Sequence, residues 1–183
     1  MSFEPRFCPA CATPLAWIEQ AEDSGPTTRL RCPACQWTHW NNPTPVLAAI
    51  VEYRGQVLLA RNAAWAHKMY ALITGFMEAD ESPQEGIARE IKEETNLETS
   101  SLDLVGVYEF KRMNQVIIAY HAVADGEIRL SPELVDHRLY DLADLRCWPA
   151  GTGHALADWL RSRAHTPQYV EWPRTEAAPT ADD

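Results

Sequence analysis

The sequence predicts a protein of the α/β (α+β) class, in which a small N-terminal module precedes one larger domain. Three observations support this prediction. Two Cys-x-x-Cys pairs lie within residues 1–42, a stretch with little helical periodicity. Short apolar runs separated by turn residues follow between residues 43 and 165. One segment among them, starting near residue 82, has the start signal and apolar spacing of an amphipathic helix.

The larger domain, residues 43–165, is expected to contain six strands and two helices. Apolar runs bounded by turns such as Arg54-Gly55 and Asp125-Gly126 predict the strands. They cover residues 46–53, 56–61, 70–74, 104–110, 116–124 and 127–130. A second helix is expected over residues 155–163. Residues 166–183 are rich in Pro, Ala, Thr and acidic side chains, and we expect them to form a flexible tail.

The first helix carries signals at both ends. Ser82 can cap its N-terminus, a proline follows in the first helical position, and Glu85 completes a Ser-x-x-Glu capping box. Ile87 and Ile91 lie one turn apart on one face, which we expect to face the core. Asn96 can adopt the left-handed conformation that ends a helix.

Composition limits the functions open to the chain. Its 183 residues are 46% hydrophobic, which is enough for one sizeable core and a small appendage. Its net charge of -10 opposes loose electrostatic binding of nucleic acid, so we expect no nucleic-acid partner. The longest apolar runs have the length of strands, which predicts no membrane span. The N-terminus lacks a secretory signal, and we therefore expect a cytoplasmic protein.

Carboxylates crowd the end of the first helix at Glu90, Glu93 and Glu94. Glu90 and Glu94 are four residues apart on one face, so their repulsion opposes the helix by about 0.2–0.5 kcal/mol. They also lie towards the C-terminal end of the helix, where the macrodipole disfavours anions. A divalent cation such as Mg²⁺, which prefers oxygen ligands, would remove both penalties. The alternative is a solvated, charge-rich helix face.

The loop and helix together resemble the Nudix box, whose pattern is Gly, five residues, Glu, seven residues, then Arg-Glu-apolar-x-Glu-Glu-x-Gly-apolar. Eight of its nine specified positions match over 23 residues, namely Gly75, Glu81, Arg89, Glu90, Ile91, Glu93, Glu94 and Leu97. The departure is Asn96, where the family has glycine. Since asparagine tolerates the left-handed conformation, we expect the loop–helix–loop to persist.

The Nudix resemblance covers residues 46–163, which follow the strand and helix order of the family. It implies an α/β/α sandwich with a mixed sheet. It also implies an enzyme that hydrolyses a nucleoside diphosphate linked to another group. By the same resemblance, Glu90 and Glu94 are ligands of Mg²⁺ or Mn²⁺, and the carbonyl of Gly75 is a further ligand.

Four more residues receive roles from this resemblance. Glu93 is a metal ligand or the base that takes a proton from water. Glu81 and Arg89 hold the loop and the helix together. A carboxylate from a later loop often joins such a site, and Glu133 is the candidate here. The alternative for Glu133 is an ordinary surface glutamate.

The cysteines of the N-terminal module form a second motif, Cys8-x-x-Cys11 and, after a gap of 20 residues, Cys32-x-x-Cys35. The spacing fits one tetrahedral Zn²⁺ held by four thiolates. Because protein would fill all four positions, we expect a structural ion that stabilises a zinc ribbon over residues 1–42. A redox-active dithiol is the alternative. Cys147 is expected to be a small buried side chain.

A zinc ribbon directly before a Nudix box resembles the NADH pyrophosphatase branch of the family. That branch carries Ser-Gln-Pro-Trp-Pro-Phe-Pro-x-Ser after the box, and residues 107–116 lack its prolines and tryptophan. ADP-ribose, another nucleoside diphosphate conjugate or a nucleoside triphosphate therefore stay open as substrates beside NADH. Tyr108, Phe110 and Arg112 lie in this stretch and are candidates for substrate binding, with a solvated strand end as the alternative. The resemblance also favours a homodimer.

The expected function is metal-dependent hydrolysis of the diphosphate linkage in a small nucleotide conjugate of the NADH, NAD⁺ or ADP-ribose type. The competing function is a sensor that binds a nucleotide without cutting it and uses the ribbon as an interaction module. Three clustered carboxylates favour the enzyme, because a protein that only binds has no need of them. Removal of a nucleotide cap from RNA is a third interpretation, and it requires a local basic groove.

Overall fold

The computed structural model describes residues 4–65 and 69–170. Its contacts divide the chain into two compact units, residues 1–43 and 44–183. Of the predicted tail, residues 171–183 lie outside the described residues. Within residues 166–170, the carbonyl of Gln168 accepts a hydrogen bond from the Cys147 amide at 2.7 Å, and the Val170 amide donates to the Cys147 carbonyl at 2.9 Å. No helix in residues 4–65 or 69–170 has the length and apolar content needed to cross a membrane.

The N-terminal unit is built on an antiparallel hairpin of β1 (Ala16–Glu22) and β2 (Gly25–Arg31). A tight turn at each Cys-x-x-Cys pair flanks this hairpin. The amide of Ala12 donates to the Cys8 carbonyl at 2.8 Å, and the amide of Gln36 donates to the Cys32 carbonyl at 3.0 Å. Ala12 and Gln36 have φ angles of 57° and 66°, so both turns close in the left-handed region. The two turns therefore present their cysteines in the same way.

The larger unit contains a six-stranded mixed sheet and two helices. Its strands are β3 (Thr44–Tyr53), β4 (Gln56–Asn62), β5 (Ile73–Phe76), β6 (Glu98–Phe110), β7 (Gln115–Asp125) and β8 (Leu134–Tyr140). Its helices are α1 (Pro83–Thr95) and α2 (Gly153–Ser162). The strand order is β6-β7-β3-β4-β8, and β5 also pairs with β3. Because β3 and β7 are parallel while the other pairs are antiparallel, the predicted mixed sheet is confirmed.

The sheet carries one helix on each face because the residues of β3 alternate between separate apolar clusters. One cluster joins Leu47 and Ala49 of β3 to Ile87 and Ile91 of α1, as the helical spacing predicted. On the other face, the intervening residues of β3 pack in clusters that contain Ala155, Leu156 and Leu160 of α2. The result is the α/β/α sandwich that the resemblance implied, with β3 buried on both sides.

Helix α1 begins and ends where its capping signals predicted. The Glu85 amide donates to Ser82 Oγ at 3.3 Å, and the Ser82 amide donates to Glu85 Oε2 at 2.8 Å, which completes the capping box. Asn96 has a φ angle of 63°, and its amide donates to the Lys92 carbonyl at 2.9 Å. Its side-chain Nδ2 also donates to the Glu127 carbonyl at 3.0 Å, a contact that glycine could not make.

The predicted strand over residues 127–130 is wrong. The Arg129 amide donates to the Thr95 carbonyl at 2.9 Å and the Ser131 amide to the Glu94 carbonyl at 3.0 Å. This segment therefore binds the end of α1 instead of a neighbouring strand. The sixth strand is β8, which sequence reasoning missed because its centre is polar. β5 begins at Ile73 rather than at residue 70, since only residues 73–76 pair with β3.

Candidate active site

A single guanidinium, that of Arg89, ties helix α1 to the loop that precedes it. Its Nε and Nη2 each donate to the carboxylate of Glu81 at 3.0 Å, and Nη2 also reaches the carbonyl of Phe76 at 3.3 Å. Its Nη1 donates to Glu90 at 2.9 Å and to Glu93 at 3.0 Å. The bonds from Arg89, followed by a bond from the Glu78 amide, lower the pKa of Glu81. Glu81 and Arg89 thus form an ionised pair that fixes the loop on the helix.

Gly86 leaves the space that the Glu81 carboxylate occupies. A Cβ at this position would lie 2.4 Å from Glu81 Oε1 and 2.5 Å from Leu47 Cδ1. Any larger residue would push Glu81 away from the helix backbone. Sequence reasoning did not single out Gly86, although a glycine inside a helix is costly and indicates a packing reason.

Gly75 leaves space for the carboxylate of Glu90, as Gly86 does for that of Glu81. A Cβ on Gly75 would lie 1.8 Å from Glu90 Cδ, so the carboxyl group rests directly against the backbone of β5. Burial is the main cause of a raised pKa of Glu90, and the hydrogen bond from Arg89 opposes it. Glu90 is therefore a partly desolvated carboxylate held close to the carbonyl groups of β5.

Glu94 is the carboxylate of the cluster whose negative charge is least balanced by nearby positive groups. Burial, then the charges of Glu90, Glu133 and Glu93, raises its pKa to about 7, while the Thr74 amide opposes the shift by a hydrogen bond. No Lys, Arg or His in the described part of the chain forms an ion pair with Glu94. A half-buried carboxylate without a cation is costly, and a metal ion would supply the missing positive charge.

The loop that bears Glu133 is attached to the end of α1. The Ser131 amide donates to the Glu94 carbonyl at 3.0 Å, and the Glu133 carbonyl accepts from the Ala63 amide at 2.8 Å. The side chain of Glu133 is exposed, and its charge is one cause of the raised pKa of Glu94. The structure therefore brings Glu133 to the same cluster as the glutamates of α1.

The donor set and the surroundings of these glutamates fit a hard divalent cation. The donors are carboxylate and carbonyl oxygens, which Mg²⁺ and Mn²⁺ prefer. Glu90 and Glu93 each have an oxygen on Arg89, so both would exchange part of that contact for the ion. Because Gly75 has no side chain, the Glu90 carboxylate can lie directly against the backbone of β5.

The four cysteines of the N-terminal unit form the other cluster. Their sulfur atoms all lie within 4.8 Å of one another, with 3.4 Å between Cys11 and Cys32 and 3.5 Å between Cys8 and Cys35. In the described residues, no other group of three or more His, Cys, Asp or Glu side chains is as compact. The Thr13 hydroxyl, 3.3 Å from Cys11 Sγ, is the main cause that lowers the pKa of Cys11 to about 6. This cluster can hold a metal ion. Cys147 is buried, as expected.

The three predicted substrate residues lie away from the glutamates. Tyr108 Oη donates to Asp158 of α2 at 3.1 Å, and Tyr108 and Phe110 pack in the apolar cluster on the α2 face of the sheet. The guanidinium of Arg112 lies 5.6 Å from the centre of the Phe110 ring. Helix α1 is on the opposite face, so the structure does not bring these side chains to the carboxylate cluster. Burial, followed by the bond to Asp158, raises the pKa of Tyr108 to about 12.

Phe76 is a candidate that sequence reasoning missed. It directly follows Gly75, its carbonyl accepts a hydrogen bond from Arg89, and its side chain is 59% exposed. Phe76 pairs with Val46 of β3, which packs in the cluster on the α2 face, so its ring lies on the same face of the sheet as Tyr108 and Phe110. A large exposed aromatic ring is a common feature of ligand sites. The available signal was its position next to the glycine that starts the box.

Fold and site together define a class, the α/β/α sandwiches in which a loop–helix–loop gathers carboxylates at one end of a mixed sheet. A family model of the NUDIX domain matches residues 42–161, and the chain belongs to this family.

The chain is similar in sequence to proteins named NAD-capped RNA hydrolase NudC. It is 29% identical to the one from Pseudomonas putida (strain W619) over 150 residues, which cover 81% of this chain and 52% of that protein. It is 27% identical to the one from Stutzerimonas stutzeri (strain A1501) over 147 residues, which cover 79% and 51%. The chain therefore spans about half the length of the curated relatives it matches.

Solved structures share the same fold. A NUDIX hydrolase from Nitrosomonas europaea superposes with a TM-score of 0.72 and is 26% identical, covering 90% of this chain and 97% of that one. An ADP-ribose pyrophosphatase from Streptococcus suis 89-1591 superposes with a TM-score of 0.56 at 18% identity, covering 70% of this chain and 100% of that one. The second likeness supports the fold alone.

The raised pKa of Glu94 predicts how the stability of the protein depends on pH when no divalent cation is added. The folded state keeps the Glu94 proton up to about pH 7, whereas the unfolded state releases it near the ordinary value of 4.5. Stability therefore falls as the pH rises between these values. We expect Glu94→Gln to raise the free energy of unfolding at pH 8 by an amount on the order of 1 kcal/mol, and to change little at pH 5.

Urea unfolding at the two pH values measures this difference. Glu98→Gln is the matched control, because the Glu98 side chain is 77% exposed and its charge is not among the main causes of the raised pKa of Glu94, so its substitution should give no such pH-dependent gain. A Glu94→Gln protein less stable than the wild type at pH 8 would contradict the interpretation of Glu94 as an uncompensated carboxylate.

Proposed function

We propose that the chain hydrolyses the diphosphate linkage of a nucleoside diphosphate conjugate with the help of Mg²⁺ or Mn²⁺. The observation that carries this proposal is Glu94, half-buried among other carboxylates and without an ion pair to any cation of residues 4–65 and 69–170. Glu90 and Glu94 would hold the ion, and the carbonyl of Gly75 would be a further ligand. When bound, divalent ions neutralise the charge of the diphosphate and lower the pKa of water.

The chain's own residues supply the remaining steps of such a hydrolysis. A carboxylate must accept the proton of the attacking water, and Glu93 and Glu133 are the exposed members of the cluster that can do so. Glu93 shares its carboxylate with Arg89 at 3.0 Å, whereas no ion pair of Glu133 is found in the described residues. Arg89 acts as a positioning residue, since its bonds hold Glu81, Glu90 and Glu93 in place.

Hydrolysis is favoured over a sensor that binds without cutting. A binding site for an anionic nucleotide gains from positive side chains, yet among the described residues this cluster holds five glutamates, of which Arg89 pairs with three. Such a site attracts a diphosphate only after divalent ions have reversed its charge. Those same ions activate water, so the site that binds the substrate is also equipped to cut it.

A capped RNA is a second candidate substrate. Relatives named NAD-capped RNA hydrolase NudC support it, with 29% identity over 81% of this chain. The bond to be cut is the same in both substrates, because the NAD cap is itself a dinucleotide joined through a diphosphate. The net charge of -10 opposes long-range attraction of an RNA backbone, so this candidate requires contacts to bases.

For the N-terminal unit, we infer that Cys8, Cys11, Cys32 and Cys35 bind one structural Zn²⁺. Four thiolates suit zinc, and the four sulfur atoms lie within 4.8 Å of one another, close enough to hold one ion. Residues 1–42 would then be a zinc ribbon whose fold depends on the ion, followed by a hydrolase domain over residues 43–165.

The first prediction tests the reaction. With Mg²⁺ or Mn²⁺, the protein should release a mononucleotide from at least one of NADH, NAD⁺, ADP-ribose, a dinucleoside polyphosphate, a nucleoside triphosphate or an NAD-capped RNA. Glu94→Gln should lower turnover by roughly 10²-fold or more, because it removes a proposed metal ligand. Glu98→Gln is the control, since the Glu98 side chain lies on β6 and is 77% exposed. Tight binding of a nucleotide without any hydrolysis would favour the sensor instead.

The second prediction concerns Phe76, whose exposed ring can stack on a base or nicotinamide ring of the substrate. Base–aromatic stacking is worth about 1–3 kcal/mol, so Phe76→Leu should raise KM by roughly fivefold or more, with a smaller change in kcat. Phe76→Trp keeps an aromatic face and should retain a low KM. Steady-state kinetics on the best substrate of the panel would measure this. An unchanged KM in Phe76→Leu would remove Phe76 from the site.

The third prediction concerns zinc. Elemental analysis of the purified protein should find about one zinc per chain. Cys32→Ser should lose the zinc and unfold the N-terminal unit, because residues 1–42 have too small a core to fold without it. Cys147→Ala is the matched control and should keep the metal, since Cys147 lies outside this unit. A wild-type protein without zinc would refute the assignment.

A further inference from the structure

The N-terminal unit contains a cavity of about 250 Å³ to which the proposed hydrolysis gives no role. We call it the ribbon pocket, and six of the residues that line it are Trp17, Thr28, Arg29, Leu30, His39 and Trp40. Trp17 and Leu30 are direct cross-strand partners in the hairpin. The His39 amide donates to the Leu30 carbonyl at 2.9 Å, so backbone hydrogen bonds fix both sides of the pocket.

Two tryptophans of the ribbon pocket are largely exposed, Trp17 by 61% and Trp40 by 55%. A tryptophan can bury 150–250 Å² of surface, and a small unit would normally use it for its core. Here the buried apolar side chains of the unit are Cys8, Leu30 and Cys32 among the described residues. Aromatic surface left exposed around a cavity is typical of a binding site.

The lining of the ribbon pocket includes two charged residues, Arg29 and Glu4, and the charge of Arg29 is neutralised by Glu22. Arg29 donates through Nε and Nη2 to both oxygens of Glu22, at 2.8 and 2.9 Å, and its guanidinium lies 5.0 Å from the centre of the Trp40 ring. These bonds from Arg29 are the main cause that lowers the pKa of Glu22 to about 2, so the pair stays ionised at neutral pH. The pocket therefore offers rigid aromatic faces and little free positive charge, which suits a flat, neutral ligand better than a phosphate.

We propose that the ribbon pocket binds one nucleobase of a single-stranded RNA, stacked against Trp17 and Trp40. The proposal rests on the second candidate substrate, a capped RNA. It gives the RNA a contact with the protein outside the glutamate cluster. The hydroxyl of Thr28 and the ring of His39 can form hydrogen bonds with a base edge. The cavity is smaller than the roughly 300–1,000 Å³ of sites for drug-sized ligands, a size that fits a single base. A neighbouring cavity of about 610 Å³ shares Trp17 and Leu30 with it.

Stacking also resolves the conflict between an RNA ligand and an acidic protein. Binding through phosphates releases counterions and weakens steeply with salt, whereas stacking uses the uncharged faces of the bases. A net charge of -10 opposes the approach of an RNA backbone, so contacts of the second kind would carry the binding. The ribbon pocket therefore predicts RNA binding that depends on bases and changes little with salt.

The test measures binding of a five-nucleotide oligoadenylate RNA to the full-length protein by tryptophan fluorescence, without added Mg²⁺ or Mn²⁺ so that no cleavage occurs. Trp17→Ala and Trp40→Ala should each weaken binding between about fivefold and 150-fold, as loss of one stacking contact does. Tyr169→Ala is the control, because Tyr169 is a 48% exposed aromatic residue outside the N-terminal unit, whereas the exposed Phe7 lines a neighbouring cavity together with Trp17. Zinc content establishes that each variant is folded.

Three results of the RNA measurements would overturn the proposal. They are equal affinity in the wild type and both tryptophan variants, equal affinity for an abasic oligomer of the same length, and affinity that falls steeply between 50 and 200 mM salt. A proline-rich peptide that competes for the same tryptophans and binds more tightly than RNA would also overturn it. Hydrolysis of NADH by the same variants should stay at the wild-type rate. A wild-type protein that hydrolyses no substrate of the panel would refute the proposed hydrolase activity. The RNA-binding measurement could still be interpreted in that case.

Discussion

The position of one guanidinium determines the geometry of the glutamate cluster. Arg89 bonds to Glu81 before the helix and to Glu90 and Glu93 within it, so the loop cannot move without breaking several charge-assisted hydrogen bonds. Two glycines make this arrangement possible, since a Cβ at Gly75 or Gly86 would collide with a carboxylate. Removing Arg89 would leave partly buried carboxylates uncompensated, which typically costs several kcal/mol. The box motif thus serves packing and charge balance in addition to the metal binding that we propose for it.

The carboxylate cluster destabilises helix α1 locally, and the caps and the buried face of the helix offset this loss of stability. Its carboxylates oppose the macrodipole at the C-terminal end, and burial raises the pKa of Glu94 to about 7. The capping box at the other end contributes about 1 kcal/mol, and a smaller share comes from Lys92, whose Nζ donates to the Asn96 carbonyl at 3.1 Å. The larger contribution is the burial of Ile87 and Ile91 against β3. A site that is unfavourable without its ion is tolerated because the helix is held by its other face and its ends.

Local signals account for what could be predicted from the sequence. The ends of α1 depend on side chains a few residues apart, so the caps Ser82 and Asn96 were predicted correctly. The spacing of the paired cysteines was enough to predict that they form one cluster. What failed depends on distant partners. Residues 127–130 are apolar enough for a strand, but hydrogen bonds to the end of α1 hold them instead. β8 has a polar centre on the edge of the sheet, where the apolar alternation is weak. The space that Gly86 leaves for Glu81 appears only once the loop is folded.

The acidic character of the chain and its proposed phosphate chemistry act over different distances. At physiological salt, exposed charges are screened within about 8 Å, so the net charge of -10 mainly slows the approach of an anion. At contact, nearby groups decide whether an ion or a phosphate binds. The glutamate cluster and the cysteine cluster differ in the donor atoms that they offer. Carboxylates and carbonyls near Glu94 suit a hard cation, which would reverse the local field, whereas four cysteine sulfurs within 4.8 Å of one another suit a softer ion. Since the two donor sets prefer different ions, the proposed hydrolytic site and the proposed zinc site would not compete for one metal.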